Sequence, residues 1–320
     1  IFTTLAIVLA VWLLIQIETV VLAIFVALIL ALGLDPLADA LCKRGLPRIF
    51  SALLIFVVLV AVIITIGTVS FTPMIEQTQR FWERLPQFAD MLFGQTYGQR
   101  LNDAIFGQLG TITTTSGNVI RFTIDIFSNA LSFLTVLIFA FYFLIDFDKM
   151  RNHFVELFPA KHQGRVKKTI AEIETNLGRW LRGQVTLMLV VGSMTYIGLT
   201  ILKIDYALPL ALIAGSLEIV PMIGPMVAAV PALLVGFATS FVSGLGVLSL
   251  YIIVQQLENN LIVPRVMQKA VGFNPVLTMI LLLIGAKLLG VVGALLAVPT
   301  TLTGYIILKN VILEENSDSA

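Results

Sequence analysis

The chain has 320 residues, of which 58% are hydrophobic and only 12% charged, with a mean hydropathy of +0.99 and a formal net charge of +1. No soluble domain of this length hides so much apolar surface, so composition excludes a soluble fold and predicts an all-α, polytopic membrane protein. The single cysteine, Cys42, excludes an intrachain disulfide, and the net charge says nothing of partners.

Residues 1–17 are apolar apart from Thr3, Thr4 and Gln16; Glu18 follows, and residues 19–34 are apolar again. Each piece is short for a span and together they are too long for one, which predicts a tight hairpin with Glu18 near its apex or one long bent helix. The chain opens at Ile1 rather than Met, so its natural N-terminus is expected upstream. With no basic region and no small-residue cleavage site, the first run reads as a span and not as a cleaved signal. Asp35-Pro36 is expected to end the second piece, because a residue before proline is pushed out of helical geometry. The loop 38–50 carries Lys43, Arg44 and Arg48, and a third span over residues 51–71 is expected to stop at Pro73. Residues 1–73 thus form an N-terminal membrane region.

Residues 74–126 form a polar region. Ile75, Phe81, Trp82 and Leu85 recur at the spacing of an amphipathic helix lying on a surface, and Gly, Thr and Ser residues over 107–117 mark a turn. In the region 127–183, a fourth span covers 127–145. It leads into a basic stretch with Lys149, Arg151, Lys161, Arg165, Lys167, Lys168, Arg179 and Arg182, where Val166, Ile170, Ile173, Leu177 and Leu181 trace an interfacial helix. Beside a span, that basic stripe reads as orientation and contact with anionic lipid, not as a nucleic-acid surface. Both basic loops are placed in the cytoplasm and residues 74–118 outside. His153 and His162 read as solvent-loop histidines.

Residues 184–308 read as the transport core, followed by a polar, fraying tail over 309–320. After a fifth span over 184–202 comes an apolar run, 207–241, whose only charge is Glu218. It is roughly 35 residues long against the ~20 of one crossing, and Pro209, Pro221, Gly224, Pro225 and Pro231 interrupt it. The simplest solution is a helix that enters the bilayer, breaks and returns. Broken backbone at membrane depth is tolerated only inside protein or around a watery cavity. Later, Gln255, Gln256, Glu258, Asn259 and Asn260 gather in the string QQLENN, ahead of Pro264 and Arg265. The last apolar stretch, 270–308, is expected to break near residues 285–287.

LEIVP from Leu217 and LENNLIVP from Leu257 each set a lone Glu before an Ile-Val-Pro break. Paired interruptions of this kind point to a transporter's binding site, although a chain rich in Leu, Ile and Val repeats such strings by chance. Glu218 and Glu258, at about 2.5–3.5 kcal/mol each if charged at mid-bilayer, must face a cavity or a partner. They are candidates for proton or cation coupling or for binding a polar solute, with Gln255, Gln256, Asn259 and Asn260 beside them. The blander reading is an interfacial carboxylate capping a helix. Pro221, Gly224, Pro225 and Pro264 are the candidate hinges. Lys287 pairs with one of the acids or snorkels, and Arg265 is an interfacial anchor or an anion contact. No catalytic motif, metal-ligand cluster, cofactor signature or Walker loop occurs, so the chain does not read as an enzyme and transport must draw on a gradient or a partner.

EIVPMIGP with Pro231 after it, QQLENNLIVPRV, and NPVLTMILLLIGAKLLGVVGALLAVP together resemble the autoinducer-2 exporter (AI-2E) family of bacterial membrane proteins. LADALCKRGLPR and LRGQ, ending at Gln184, extend the likeness over nearly the whole chain. The resemblance implies about eight membrane helices in the bacterial inner membrane, re-entrant hairpins in the C-terminal half, a pentamer and an elevator-like movement. It also implies export of autoinducer-2, a quorum-sensing signal, or of another small solute. Some relatives look like sodium(lithium)/proton antiporters. The matched positions are Glu218, Pro221, Gly224, Pro225, Glu258, Asn259, Asn260 and Pro264. The expected function is a secondary exporter of a small polar solute. A cation/proton antiporter and a non-transporting membrane scaffold acting through residues 74–118 are the alternatives.

Overall fold

A computed structural model describes residues 18–93, 116–267 and 275–310. The first arm of the expected hairpin, residues 1–17, most of the polar turn at 107–117 and the tail beyond 310 lie outside the described residues. Among the described residues every regular element is a helix: α1 (Glu18–Cys42), α2 (Arg48–Phe93), α3 (Ser116–Glu156), α4 (Ala160–Ile201), α5 (Ala207–Leu217), α6 (Ile223–Thr239), α7 (Phe241–Leu257), a π-helical turn (Glu258–Ile262), α8 (Val263–Met267) and α9 (Pro275–Leu308). Helices over Val20–Cys42, Arg48–Ser70, Ala160–Ile201 and Phe241–Met267 are long and apolar enough to cross a membrane.

Several predicted boundaries dissolve. Helix α1 continues through Pro36 to Cys42, and α2 runs through Pro73, so the amphipathic stretch after it prolongs the same rod. Proline removes one backbone bond and biases its predecessor, but membrane helices absorb both effects through neighbouring groups. The turn around Pro36 has such a support. Arg48 donates to Asp35 Oδ1 at 2.6 Å and to Asp39 Oδ1 at 3.0 Å, one turn apart, and its Nε donates to the Leu144 carbonyl at 2.9 Å. The basic interfacial helix and the fifth span are likewise one helix, α4. Its 42 residues reach about 63 Å at 1.5 Å per residue, far beyond the ~30 Å hydrocarbon core, so the basic end projects past the lipid tails. In α3 the expected end of the span near residue 145 survives as a kink at Asp146 (φ −113°, ψ 18°).

The chain divides into two compact units. The first combines residues 1–59, 125–181 and 296–320. Its helices close on small residues, Ala27, Ala31, Ala38, Ala52 and Ala140, all essentially buried. Small side chains permit the close backbone approach that membrane helices rely on. Phe56 and Phe141 meet edge to face at 5.8 Å. Arg151 bridges Asp148 (2.7 Å) and Glu174 (3.3 Å). The start of the tail is not frayed. Lys309 Nζ and Asn310 Nδ2 donate to the two oxygens of Glu172 at 3.0 and 2.8 Å, and Asn310 is buried. Cys42 Sγ lies 3.6 Å from Ser51 Oγ.

The second unit, residues 60–124 and 182–295, holds the interrupted helices. Leu199, Ile204, Leu210, Ala232, Val235 and Val247 form one apolar cluster at its centre, drawn from α4, the loop after it, α5, α6 and α7. Helices α4 and α5 approach through Gly192 and Gly215: a Cβ at Gly215 would sit 2.7 Å from the Met188 carbonyl oxygen. The break in α9 falls at Leu289-Gly290 rather than at 285–287, because Gly290 takes φ 61°, ψ −142°, a conformation that favours glycine. Forcing a methyl group between α4 and α5 costs about 1–3 kcal/mol by overpacking. Gly215→Ala is therefore expected to lower the melting temperature in detergent. Gly67→Ala, where a Cβ meets nothing within 4 Å, should leave it unchanged or slightly raised. Equal behaviour of the two variants would refute this packing account.

Candidate functional site

The predicted break is real. Helices α5 and α6 have 11 and 17 residues, about 16 and 25 Å, so neither alone crosses a ~30 Å core. Helix α5 first tightens: Ile219 N donates to the Ser216 carbonyl (3.3 Å) and Val220 N to that of Leu217 (3.1 Å). The chain then reverses about Met222 (φ 66°, ψ −46°), where Ile223 N donates to the Pro221 carbonyl at 2.7 Å. This is the strained form of the γ-turn, held by a non-glycine residue. Pro221 thus supplies the acceptor of the turn. Gly224 is needed for another reason: a Cβ there would lie 1.8 Å from the Leu217 carbonyl oxygen. Buried Pro225 sits in the first turn of α6, where its missing N–H is no loss.

Pro264 behaves differently. The expected second break is absent, and α7, the π-helical turn and α8 form one continuous helical path. Val263 N donates to the Glu258 carbonyl five residues back. That widened turn accommodates the proline ring, which would otherwise press on a preceding carbonyl. Pro264 is therefore a helical residue on the exposed side and not a hinge.

Both acids are buried in the second unit: Glu218 fully, and Glu258 at 4% exposure. Among the described residues neither has an ion-pair partner. Both carboxylate oxygens of Glu218 lack any hydrogen bond, while Glu258 accepts one, from Gln255 Nε2 at 3.3 Å. Gln255 also reaches Asn259 Oδ1 at 3.5 Å. Gln256 and Asn260 bond to each other at 3.0 Å on an exposed face and take no part in the acid pair. Lys287 and Arg265 are exposed and pair with neither acid. No cluster of metal-binding side chains of the His, Cys, Asp or Glu type occurs among the described residues.

Gln184, at the head of the fifth span, is a further participant that was not among the candidate site residues. Gln184 is fully buried, and its Nε2 donates to the backbone carbonyl of Glu218. The contact joins residues 34 positions apart, and the visible signal was a lone uncharged amide at the head of an apolar run. Near these residues α4 and α5 also border an apolar groove of about 480 Å³, lined by Met188, Gly192, Tyr196, Leu212 and Gly215 among others. Neither acid lines it.

A family model described as AI-2E family transporter matches residues 1–312. YrrI of Bacillus subtilis (strain 168) is 27% identical over 298 residues, covering 89% of this chain and 84% of its own length. The AI-2 transport protein TqsA of Escherichia coli (strain K12) is 23% identical over 301 residues, covering 90% and 84%. A protein of Halobacillus andaensis named as a sodium-lithium/proton antiporter is 24% identical over 297 residues, covering 85% and 84%. A match over nearly the whole chain, with relatives aligned along most of their own length, shows that this polytopic helical membrane protein belongs to the AI-2E transporter family.

Proposed function

We propose that the protein is a secondary transporter of the bacterial inner membrane that exports a small polar solute such as autoinducer-2, with Glu218 and Glu258 carrying the coupling ion. The carrying observation is the two acids: carboxylates buried in the same unit, without an ion-pair partner among the described residues, and with both oxygens of Glu218 unbonded. Each charge at membrane depth costs about 2.5–3.5 kcal/mol or more unless something neutralises it. A proton or a small cation does so, and its release on one side makes a gradient available for work. The name of TqsA supports a signalling solute as cargo. The acceptor-only chemistry of the pair favours a second reading, in which Na⁺ or Li⁺ is itself the exported species, and the antiporter relative supports it. The short α5–α6 hairpin, reversing on a γ-turn, suits the elevator-like, pentameric mechanism that the sequence resemblance implies.

Autoinducer-2 efflux from cells and proton release on adding Na⁺ or Li⁺ to proteoliposomes separate the two cargoes. Under either, Glu218→Gln and Glu258→Gln should each slow transport by about tenfold or more, the scale of a lost charge-assisted interaction. Unchanged rates at equal expression would defeat the proposal. The same reading predicts a trade-off between function and stability. Glu218→Met removes a buried group with no partner, so the variant should be more stable by about 1–3 kcal/mol while losing transport. A lower melting temperature than the parent would contradict it.

A further inference from the structure

We propose that Gln184 is a ligand of the ion site. Its side-chain oxygen and the two carboxylate oxygens of Glu218 form the dehydrated part of a site for a monovalent alkali cation. The inference rests on the ion-coupling reading above and deepens it.

The placement follows from helix register. Residues 184, 188 and 192 recur at four-residue intervals and share one face of α4. Gly192 meets Ala211 and Gly215, and the Met188 carbonyl meets Gly215, as α5 passes close by. One turn further along each helix, Gln184 meets Glu218. The close glycine contact thus sets the position of the amide against the break.

The orientation of that amide is decided by chemistry. The Glu218 backbone carbonyl can only accept, so the atom facing it must be the NH₂ group, and the Gln184 oxygen is the free end. Three acceptor atoms, Gln184 Oε1 and Glu218 Oε1 and Oε2, are then buried with no hydrogen-bond partner. Both residues are fully buried. Native interiors leave few such groups, each at about 1–3 kcal/mol. A proton on Glu218 supplies one donor and leaves the remaining acceptors unmet, whereas a cation satisfies all three. Oxygen-only ligands suit hard cations. Glu218 gives these three atoms a single negative charge, which a monovalent ion balances while Glu258 holds a proton.

The test is calorimetric titration of Na⁺ and Li⁺ into the purified full-length protein, with choline chloride as the ionic-strength control. The parent should bind saturably. Gln184→Met, which keeps the bulk and removes both polar ends, should bind about tenfold more weakly or worse. Gln184→Glu keeps the acceptor, loses the donor to the backbone and adds a negative charge, and should bind the cation at least as tightly as the parent. If Gln184 merely clasps the break, Gln184→Glu will fail as badly as Gln184→Met, and the proposal is overturned. Unchanged binding in Gln184→Met with loss in Glu218→Gln overturns the ligand role while leaving carboxylate coupling intact. Absence of saturable binding in the parent overturns both. Should Gln184→Met not fold, Gln184→Glu alone decides.

Discussion

A carboxylate sealed from water, without a hydrogen-bond donor or a positive neighbour, is hard to keep charged inside a bilayer. Glu218 is held in that position by its surroundings. The γ-turn at Met222 reverses the chain, Gly224 lets the returning helix touch the Leu217 carbonyl, and Gln184 donates to the Glu218 backbone carbonyl at the break. The strained turn alone stands for about 1–3 kcal/mol. The apolar cluster of Leu199, Ile204, Leu210, Ala232, Val235 and Val247 offsets it, because those residues span the hairpin and the helices on both sides of it. An energetically awkward residue is thus kept rigidly in place.

The two units treat polar groups in opposite ways. In the first, ions of opposite sign meet: Arg48 with Asp35 and Asp39, Arg151 with Asp148 and Glu174, Lys309 with Glu172. Of these, Arg151 with Glu174 and Lys309 with Glu172 join different helices, 23 and 137 positions apart. In the second unit the two buried acids have like charge and no cation beside them among the described residues. That arrangement suits the ion coupling proposed above, because no built-in Lys or Arg competes there with a mobile cation.

Much of this was legible before any coordinates. Apolar runs located the helices, and the Pro/Gly cluster after Glu218 located the reversal, since Pro221 and Pro225 each lack the N–H that a helix continuing from α5 would donate. Other marks misled. Pro36 and Pro73 bias a single residue, and a helix with supporting neighbours overrides them. Pro264 looked equivalent to Pro221, but one widened turn absorbs it. The break in α9 was expected at 285–287, whereas the backbone turns where Gly290 takes a positive φ. Gln184 was hidden because its role exists only when α4 lies against the end of α5, and no local pattern encodes that pairing. Within QQLENN, composition could not separate Gln255, which touches Glu258, from Gln256 and Asn260, which bond to each other.

The lone thiol has a practical corollary. Cys42 sits near the end of α1 against the hydroxyl of Ser51, two positions with similar small side chains. Replacing it by serine removes the single thiol of these 320 residues through one conservative change. Pairs of spin or fluorescent labels can then be installed at will on either side of the γ-turn, and distances between them read directly as the carrier works.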